Sequence, residues 1–284
     1  MPTIIDGRSL AAKIRKQVKH ETDTLKNERG IVPGLAVILV GDDPASHAYV
    51  KMKAKACEEV GFYSITHNMP DSINQSEILN TIEMINDNPH IDGILVQLPL
   101  PGQIDTDKIL ERIDPGKDVD GFHPYNVGRL AAGLDSFVPC TPLGVMRMFE
   151  EYDIELQGKD VCIVGASNIV GKPMAALLLN ANATVTVTHI YTRDLKAHTS
   201  RADIVIVGAG VPGLIKEDMV SDGAVVIDIG INRTDEGKLV GDVDYDAVST
   251  KCSHITPVPG GVGPMTIAML LENTLKAAKT RKIS

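Results

Sequence analysis

No CxxC pair occurs in the chain, and its four cysteines, Cys57, Cys140, Cys162 and Cys252, lie far apart. That spacing offers neither a zinc site nor a disulfide framework, so no metal is expected and a reducing compartment fits. A long basic block is also lacking in a chain of formal net charge −9, which argues against nucleic acid as a partner. An anionic substrate would need a local basic patch inside this acidic whole. No apolar run is long enough to cross a bilayer, and the opening segment MPTIIDGRSLAAKIRKQ has no apolar signal core. The expectation is a cytoplasmic protein with no membrane partner. Internal repeats and low-complexity tracts are absent too. What is present is an ordinary globular composition, 43% hydrophobic and 23% charged over 284 residues, enough for about two domains with a substantial core.

Strand-like apolar runs alternate with helical patterns along most of the chain. After Ser9, Leu10, Ile14 and Val18 keep a four-residue spacing that places them on one helical face. LAVILV (35–40) reads as a buried strand ending at Gly41, followed by a helix over 46–60 and a strand over 63–67. A helix over 75–86 and a strand over 94–96 come next. Continuous apolar strands between helices predict a parallel sheet covered on both faces. A second unit begins near Cys140, where Thr141 and Pro142 open a helix; Pro suits a first turn because its missing N–H costs little there. Strands over 159–164, 184–189, 204–207 and 225–229, with a helix over 170–180, give βαβαβ order, the basis of a dinucleotide-binding half. The boundaries expected are 1–138 for the first domain and 139–263 for the second, with a C-terminal helix over 264–284 packing back on the first.

VCIVGASNIVGKP (161–173) joins a strand to a helix. Gly165 permits a tight exit from the strand, Gly171 allows close helix–sheet packing, and Ser167 can add a hydroxyl donor. The helix N-terminus offers N–H groups to a pyrophosphate. The segment is not a GxGxxG, because Ser167 and Val170 stand where two glycines would be. A literal GxGxxG, GAGVPG (208–213), follows a later strand, and Pro212 makes it a turn rather than a helix entry. Choice of nicotinamide depends on the end of the next strand, where an acid favours NAD and a base favours the 2′-phosphate of NADP. HIYTR (189–193) holds no acid and carries Arg193, which favours NADP; a solvated surface arginine is the plainer reading.

In SHAYVKMKAK (46–55), Tyr49 and Lys53 stand four apart on one helix face, with Cys57 a turn beyond. A lysine beside a tyrosine hydroxyl in a cleft can exchange protons near neutrality, as general acid–base work requires. On its own such a pair is an ordinary helix surface. Gln97 follows the strand at 94–96 and so stands at its carboxyl end, where ligands of open α/β sheets gather. Asp118 and Asp120 precede Gly121, as turn formers or as acceptors for an aminopyrimidine-type ring. TPVPGGVGPMT (256–266) is a stiff glycine-rich loop suited to close backbone approach to a flat ligand.

Taken in order, YVKMK (49–53), QLPLP (97–101), DVDG (118–121), PCTP (139–142), GASNIVGKP (165–173) and PVPGGVGPMT (257–266) resemble the successive motifs of the methylenetetrahydrofolate dehydrogenase/methenyltetrahydrofolate cyclohydrolase family, over essentially the whole chain. The resemblance implies two α/β domains, the second a Rossmann-like doubly wound parallel sheet, with the active site in the cleft between them. It implies NADP-linked oxidation of 5,10-methylenetetrahydrofolate, then hydrolysis of the methenyl cation to 10-formyltetrahydrofolate. By position, Lys53 would be the general acid/base, Gln97 would tune it, Tyr49 would position the folate and Asp120 would anchor the pterin. Val50, Leu98, Pro99, Pro257, Gly260 and Gly261 would complete the folate contacts. Gly165, Ala166, Ser167, Ile190, Thr192, Arg193 and Ile231 would contact the cofactor. Many relatives carry Arg at the Ala166 position and Ser or Arg at the Ile190 position. Their replacement leaves Arg193 or Lys172 for the 2′-phosphate and leaves NAD open as a second cofactor. The family also implies a homodimer formed through the cofactor domains. Two rivals are a related dehydrogenase such as a shikimate dehydrogenase, which gives no reason for QLPLP or PGGVGPMT, and a silent dinucleotide sensor, which has no need of a lysine base.

Overall fold

The computed structural model describes residues 1–281. In chain order the elements are β1 (Thr3–Ile4), α1 (Gly7–Arg29), β2 (Gly34–Val40), α2 (Pro44–Val60), β3 (Tyr63–Met69), α3 (Gln75–Asn86), β4 (Gly93–Val96), α4 (Thr106–Arg112) and α5 (Pro124–Ala131). They continue with α6 (Cys140–Glu151), β5 (Asp160–Val164), α7 (Gly171–Asn180), β6 (Thr184–Thr188), α8 (Leu195–Thr199), β7 (Ile204–Val207) and β8 (Val225–Asp228). Last come β9 (Asn232–Arg233), β10 (Leu239–Val240), α9 (Tyr245–Ser249), β11 (His254–Ile255) and α10 (Val262–Thr280). The strands and helices expected from the apolar pattern are all present, with ends displaced by a few residues. Residues 282–284 of the expected last helix lie outside the described residues. Among the described residues no helix is long and apolar enough to cross a membrane.

The chain forms two compact units. The first holds Lys13–Arg129, Asp135–Cys140 and the described residues from Ile267 on; the second holds Met1–Ala12, Leu130–Leu134 and Thr141–Thr266. This division differs from boundaries at 138 and 263 chiefly at the N-terminus. Residues 3–5 extend the sheet of the second unit, with Thr3 N–H donating to Ser253 O at 2.7 Å and Ile5 N–H to Ile255 O at 2.9 Å. Two-residue strands such as β1 and β11 are too short to show a period, which is why the pattern did not announce this pairing.

In the first unit β3, β2 and β4 make a parallel sheet in the order β3-β2-β4. All seven residues of β2 are buried, the consequence of covering both faces of a parallel sheet. Helix α3 starts at a capping box: Asn74 Oδ1 accepts from Glu77 N–H and the Glu77 carboxylate accepts from Asn74 N–H. Its Ile78, Ile82 and Ile85 recur at helical spacing and pack with Ile38 and Ile94 of the sheet. Burying each such side chain stabilises the fold by about 1.5–3 kcal/mol. Helix α10 adds Asn273, whose amide donates to Val119 O at 2.8 Å and Val138 O at 3.0 Å, and Lys276, which donates to Ser136 O at 2.9 Å.

In the second unit six parallel strands run in the order β1-β11-β8-β7-β5-β6. The chain fills β5, then β6 on one side, then returns across β5 to β7 and β8 on the other. That reversal is the doubly wound plan, and it opens a crevice at the carboxyl ends of β5 and β7. Strands β9 and β10 form a separate antiparallel pair.

Ile82 and Met84 share α3 but differ in burial, Ile82 being 0% and Met84 66% exposed. Ile82→Ala is expected to lower unfolding free energy by about 2–5 kcal/mol, and Met84→Ala to stay within about 0.5 kcal/mol. Urea unfolding midpoints of the two variants check this; equal losses would remove the isoleucine cluster from its place in the core.

Candidate active site

The first unit repeats the reversal of the second on a smaller scale: β2 is followed by β3 on one side, and β4 then pairs on the other. The segments leaving β2 and β4 therefore meet at one end of the sheet. The segment after β2 enters α2 through Asp43, whose carboxylate accepts from Ser46 N–H at 2.8 Å, with Pro44 at the first helical position. That start sets the phase of α2. Tyr49 and Lys53 then share a face one turn apart, Tyr49 38% exposed and Lys53 half-buried. The segment after β4 begins with Gln97. Lys53 Nζ donates to Gln97 Oε1 at 3.0 Å, and Gln97 Nε2 donates to Leu98 O at 2.8 Å. The second bond fixes the amide so that its oxygen, not its nitrogen, faces the lysine.

The DVDG segment is tied to the same strand, with Ile94 N–H donating to Lys117 O at 2.8 Å. Its two acids are used differently. Asp118 is buried and accepts from the N–H groups of Phe122 at 3.2 Å and His123 at 2.8 Å and from Asn126 Nδ2 at 2.9 Å. It organises the loop. Asp120 receives no such set: its Oδ1 faces the Cys140 thiol at 3.7 Å, and that thiol also donates to Val119 O at 3.4 Å. Burial raises the Asp120 carboxyl from its ordinary 3.8 to about 6; the Lys53 ammonium opposes the rise and the neighbouring Asp118 adds to it. Lys53, Gln97 and Asp120 thus belong to one neighbourhood, with Tyr49 at its exposed side.

Other expected folate contacts are placed less uniformly. Val50 is buried at 6% exposure, about 100° round α2 from Tyr49. Leu98 is half-buried against the isoleucine cluster and Pro99 is exposed. Cys57, a turn beyond Lys53, is fully buried, and burial pushes its thiol up to about 12, so it stays protonated and inert. The contacts of Cys140 with Asp120 and of Asn273 with Val119 and Val138 were not revealed by the chemistry of single residues. Their one signal was a polar residue inside the apolar run of α10 and a cysteine in the segment PCTP.

In the second unit the segment after β5 comes close to the one after β7. A Cβ on Gly165 would lie 2.3 Å from Gly208 O, and one on Gly171 would lie 2.1 Å from Gly165 O, so only glycine fits at either place. This bare backbone cradle at the crevice suits a dinucleotide pyrophosphate. The N–H groups of Val170 at 3.1 Å and Gly171 at 3.4 Å donate to Ser167 Oγ, so the serine hydroxyl also acts as an acceptor just before α7. Ala166 is half-buried. At the end of β6, Thr192 closes a turn with His189, Ile190 is 90% exposed, and Arg193 is exposed beside them. Ile231 is 45% exposed, and its Cδ1 lies 3.4 Å from the Cβ position of Gly263. In the glycine-rich loop Arg8 N–H donates to Gly260 O at 3.0 Å and Gly261 N–H to Pro257 O at 2.8 Å. The literal GAGVPG turn has its Ala209 and Gly210 N–H groups taken by Asp242, at 2.6 and 2.8 Å.

The family model described as tetrahydrofolate dehydrogenase/cyclohydrolase, catalytic domain, matches residues 5–120, and the NAD(P)-binding domain of the same description matches residues 139–282. The chain is 77% identical to the bifunctional protein FolD of Sulfurovum sp. (strain NBC37-1), covering 98% of this chain and 99% of that protein. The crystal structure of the Campylobacter jejuni bifunctional methylenetetrahydrofolate dehydrogenase/cyclohydrolase superposes with a TM-score of 0.98 at 57% identity, over 99% of this chain and 100% of that one. The Trypanosoma brucei N5,N10-methylenetetrahydrofolate dehydrogenase-cyclohydrolase, solved with NADP cofactor and inhibitor, gives 0.94 at 38% identity over 98% and 97%. A shikimate dehydrogenase from Peptoclostridium difficile, at 14% identity and 0.52 over 88% and 93%, shares the fold alone.

The folded protein holds the Asp120 proton more tightly than the unfolded chain. Its contribution to stability is therefore complete below about 3.8 and is lost as pH rises through about 6. Carboxyl carbon-13 titration should find a midpoint near 6 that vanishes in Asp120→Asn and moves upward in Lys53→Met, which removes the opposing ammonium. A midpoint near 4 in the unaltered chain would place this carboxyl in open water.

Proposed function

Because the chain belongs to the tetrahydrofolate dehydrogenase/cyclohydrolase family, we propose that Lys53, held by Gln97, moves the protons of its hydrolytic reaction while Asp120 holds the folate ring. The enzyme oxidises 5,10-methylenetetrahydrofolate to the methenyl cation and hydrolyses that cation to 10-formyltetrahydrofolate. NADP, when bound, takes the hydride. The observation that carries the residue assignment is the 3.0 Å bond from Lys53 Nζ to Gln97 Oε1 beside the Asp120 carboxyl.

Water adds to the methenyl carbon, and its proton passes to the Lys53 amine. Breakage of a carbon–nitrogen bond then leaves the formyl group on N10: the same lysine returns its proton to the departing ring nitrogen, and the remaining hydroxyl proton leaves to solvent as the carbonyl forms, matching the positive charge that the cation loses. Gln97 keeps the amine aimed through this cycle by accepting one N–H, which supports positioning as the amide's role. Tyr49, exposed one turn before Lys53, is suited to lie against the flat ring. The Asp120 carboxylate is suited to accept paired hydrogen bonds from the aminopyrimidine edge, and above about pH 6 it is ionised for that purpose. Leu98 and Pro99 line the same end of the sheet through their backbone. Pro257, Gly260 and Gly261 offer the stiff backbone wall, and Val50 supports α2 from beneath.

In the second unit Gly165, Ala166 and Ser167 would hold the pyrophosphate, and Ile231 would flank the nicotinamide half. Ala166 and Ile190 bring no charge to the 2′-phosphate, so Arg193, close to Thr192 in the turn after β6, is the residue assigned to it. The same absence of charge leaves NAD as a weaker second cofactor. Strand β6 is the edge of its sheet, pairs only with β5, and carries no charge, which supports a homodimer through the cofactor half. All four cysteines are buried and outside any disulfide, in keeping with the cytoplasm.

Incubation with 5,10-methylenetetrahydrofolate and NADP+ should yield NADPH while the methenyl absorbance stays low. Lys53→Met is expected to cut hydrolysis of supplied methenyltetrahydrofolate by more than about a hundredfold, with folate and NADP binding largely kept. Unchanged hydrolysis in that variant would take Lys53 out of the mechanism. Arg193→Ala should weaken NADP at least about tenfold more than NAD, read by fluorescence titration of the reduced cofactors; equal losses would return Arg193 to the solvated surface.

A further inference from the structure

We propose that Asp242 is a positioning residue of the cofactor half, fixing the Ala209–Gly210 turn and Asn232 to one carboxylate and thereby setting Ile231. The proposal rests on the reading above, in which Ile231 flanks the dinucleotide.

The observations lie within the second unit. Asp242 is fully buried, and its Oδ2 accepts from Ala209 N–H at 2.6 Å and Gly210 N–H at 2.8 Å. Its Oδ1 accepts from Asn232 Nδ2 at 2.7 Å. Successive N–H groups in a glycine turn make a concavity for an anion, the arrangement that cradles phosphate in other proteins. Here the protein's own carboxylate fills it, which explains why a literal GxGxxG follows β7 without being the pyrophosphate loop. Gly230 is the residue that admits Asp242: a Cβ there would lie 2.3 Å from the carboxyl carbon. Asp228 lies beneath and accepts from Gly230 N–H at 2.9 Å, Asp242 N–H at 3.1 Å and Val243 N–H at 2.9 Å. Its own N–H donates to Thr256 Oγ1 at 2.7 Å, one residue before Pro257.

Ile231 is thus held between two anchored neighbours. Gly230 is bonded to Asp228 and Asn232 to Asp242, while the Ile231 side chain remains 45% exposed. A side chain displayed from a backbone clamped on both sides is preorganised, so little ordering remains to be done when a ligand packs on it. Hydride transfer is demanding of geometry, and a small displacement of the nicotinamide would lower its rate.

Asn232→Asp tests the arrangement by setting a second carboxylate against Asp242. It should weaken NADPH, titrated by its own fluorescence, by about tenfold or more, and by a larger factor than it lowers hydrolysis of supplied methenyltetrahydrofolate. Asp242→Asn added to that variant restores a donor facing the new acid, with the amide oxygen still available to Ala209 and Gly210. Affinity should then return to within about threefold of the unaltered chain. A general loss of folding would lower both activities and the melting temperature without this rescue. Undiminished NADPH affinity in Asn232→Asp, or a double variant weaker than the single one, overturns the positioning role alone. An unaltered chain that binds neither NADPH nor NADH overturns the cofactor reading and the inference with it.

Discussion

Asp118 accepts hydrogen bonds from two main-chain N–H groups and an asparagine amide, and Asp228 accepts from three main-chain N–H groups of its own unit. Both units thus hold the loops at the carboxyl ends of their strands with a buried aspartate at the centre. The constraint behind this is general. Loops that bind ligands cannot use the sheet ladder, yet their N–H groups must be satisfied once they leave water. A carboxylate offers about four acceptor positions in a small volume, so one aspartate can gather several N–H groups that a long loop would otherwise leave to water. Burial pushes the Asp228 carboxyl up to about 6, and the Asp242 charge nearby adds to it, so the bonds that hold the loops also offset the cost of enclosing the acids.

Against that background Asp120 is the exception. It sits two residues from the saturated Asp118, and among the described residues its carboxyl meets only the thiol of Cys140, at 3.7 Å. A thiol is a weak donor, and the acid is left with acceptor capacity unused. Its environment raises its proton affinity without satisfying it, a combination in keeping with the ligand role proposed for it. The same contrast separates Gln97 from an ordinary loop amide. Its nitrogen is committed to Leu98 O, which leaves the oxygen for Lys53 and fixes the lysine rather than the loop.

The alternation of apolar runs was enough to place β2, β4, β5, β7 and β8, because strands buried on both faces read as continuous hydrophobic stretches. The i,i+4 spacing of Tyr49 and Lys53 likewise survived into the structure, since Asp43 and Pro44 fix where α2 begins. β1 and β11 were not legible, being two residues each and, in their pairing with one another, about 250 positions apart in the chain. Nor were the roles of Asp228, Asp242 and Asn273, because a buried polar residue has the same letter as an exposed one and acquires its meaning from partners distant in sequence. The GAGVPG turn was legible as a turn rather than a pyrophosphate loop, but its partner was not: its Ala209 and Gly210 N–H groups are taken by a carboxylate inside the protein.

The distribution of unsatisfied chemistry follows the demands of the two reactions. Hydrolysis moves protons, and the first unit keeps an amine tethered by one amide oxygen and a carboxyl faced by one weak donor, groups whose protonation can respond to a substrate. Hydride transfer moves no proton to or from a side chain; it asks for a fixed approach. In the second unit Asp228 and Asp242, the acids on either side of Ile231, are accordingly bonded by main-chain N–H groups and by Asn232, and the side chain presented between them is the uncharged Ile231. A titratable group left unsatisfied beside the nicotinamide would gain nothing for the transfer and would add a charge whose state varied with pH. On the proposed assignments, the fold separates proton chemistry from hydride geometry by the degree to which each carboxylate is bonded.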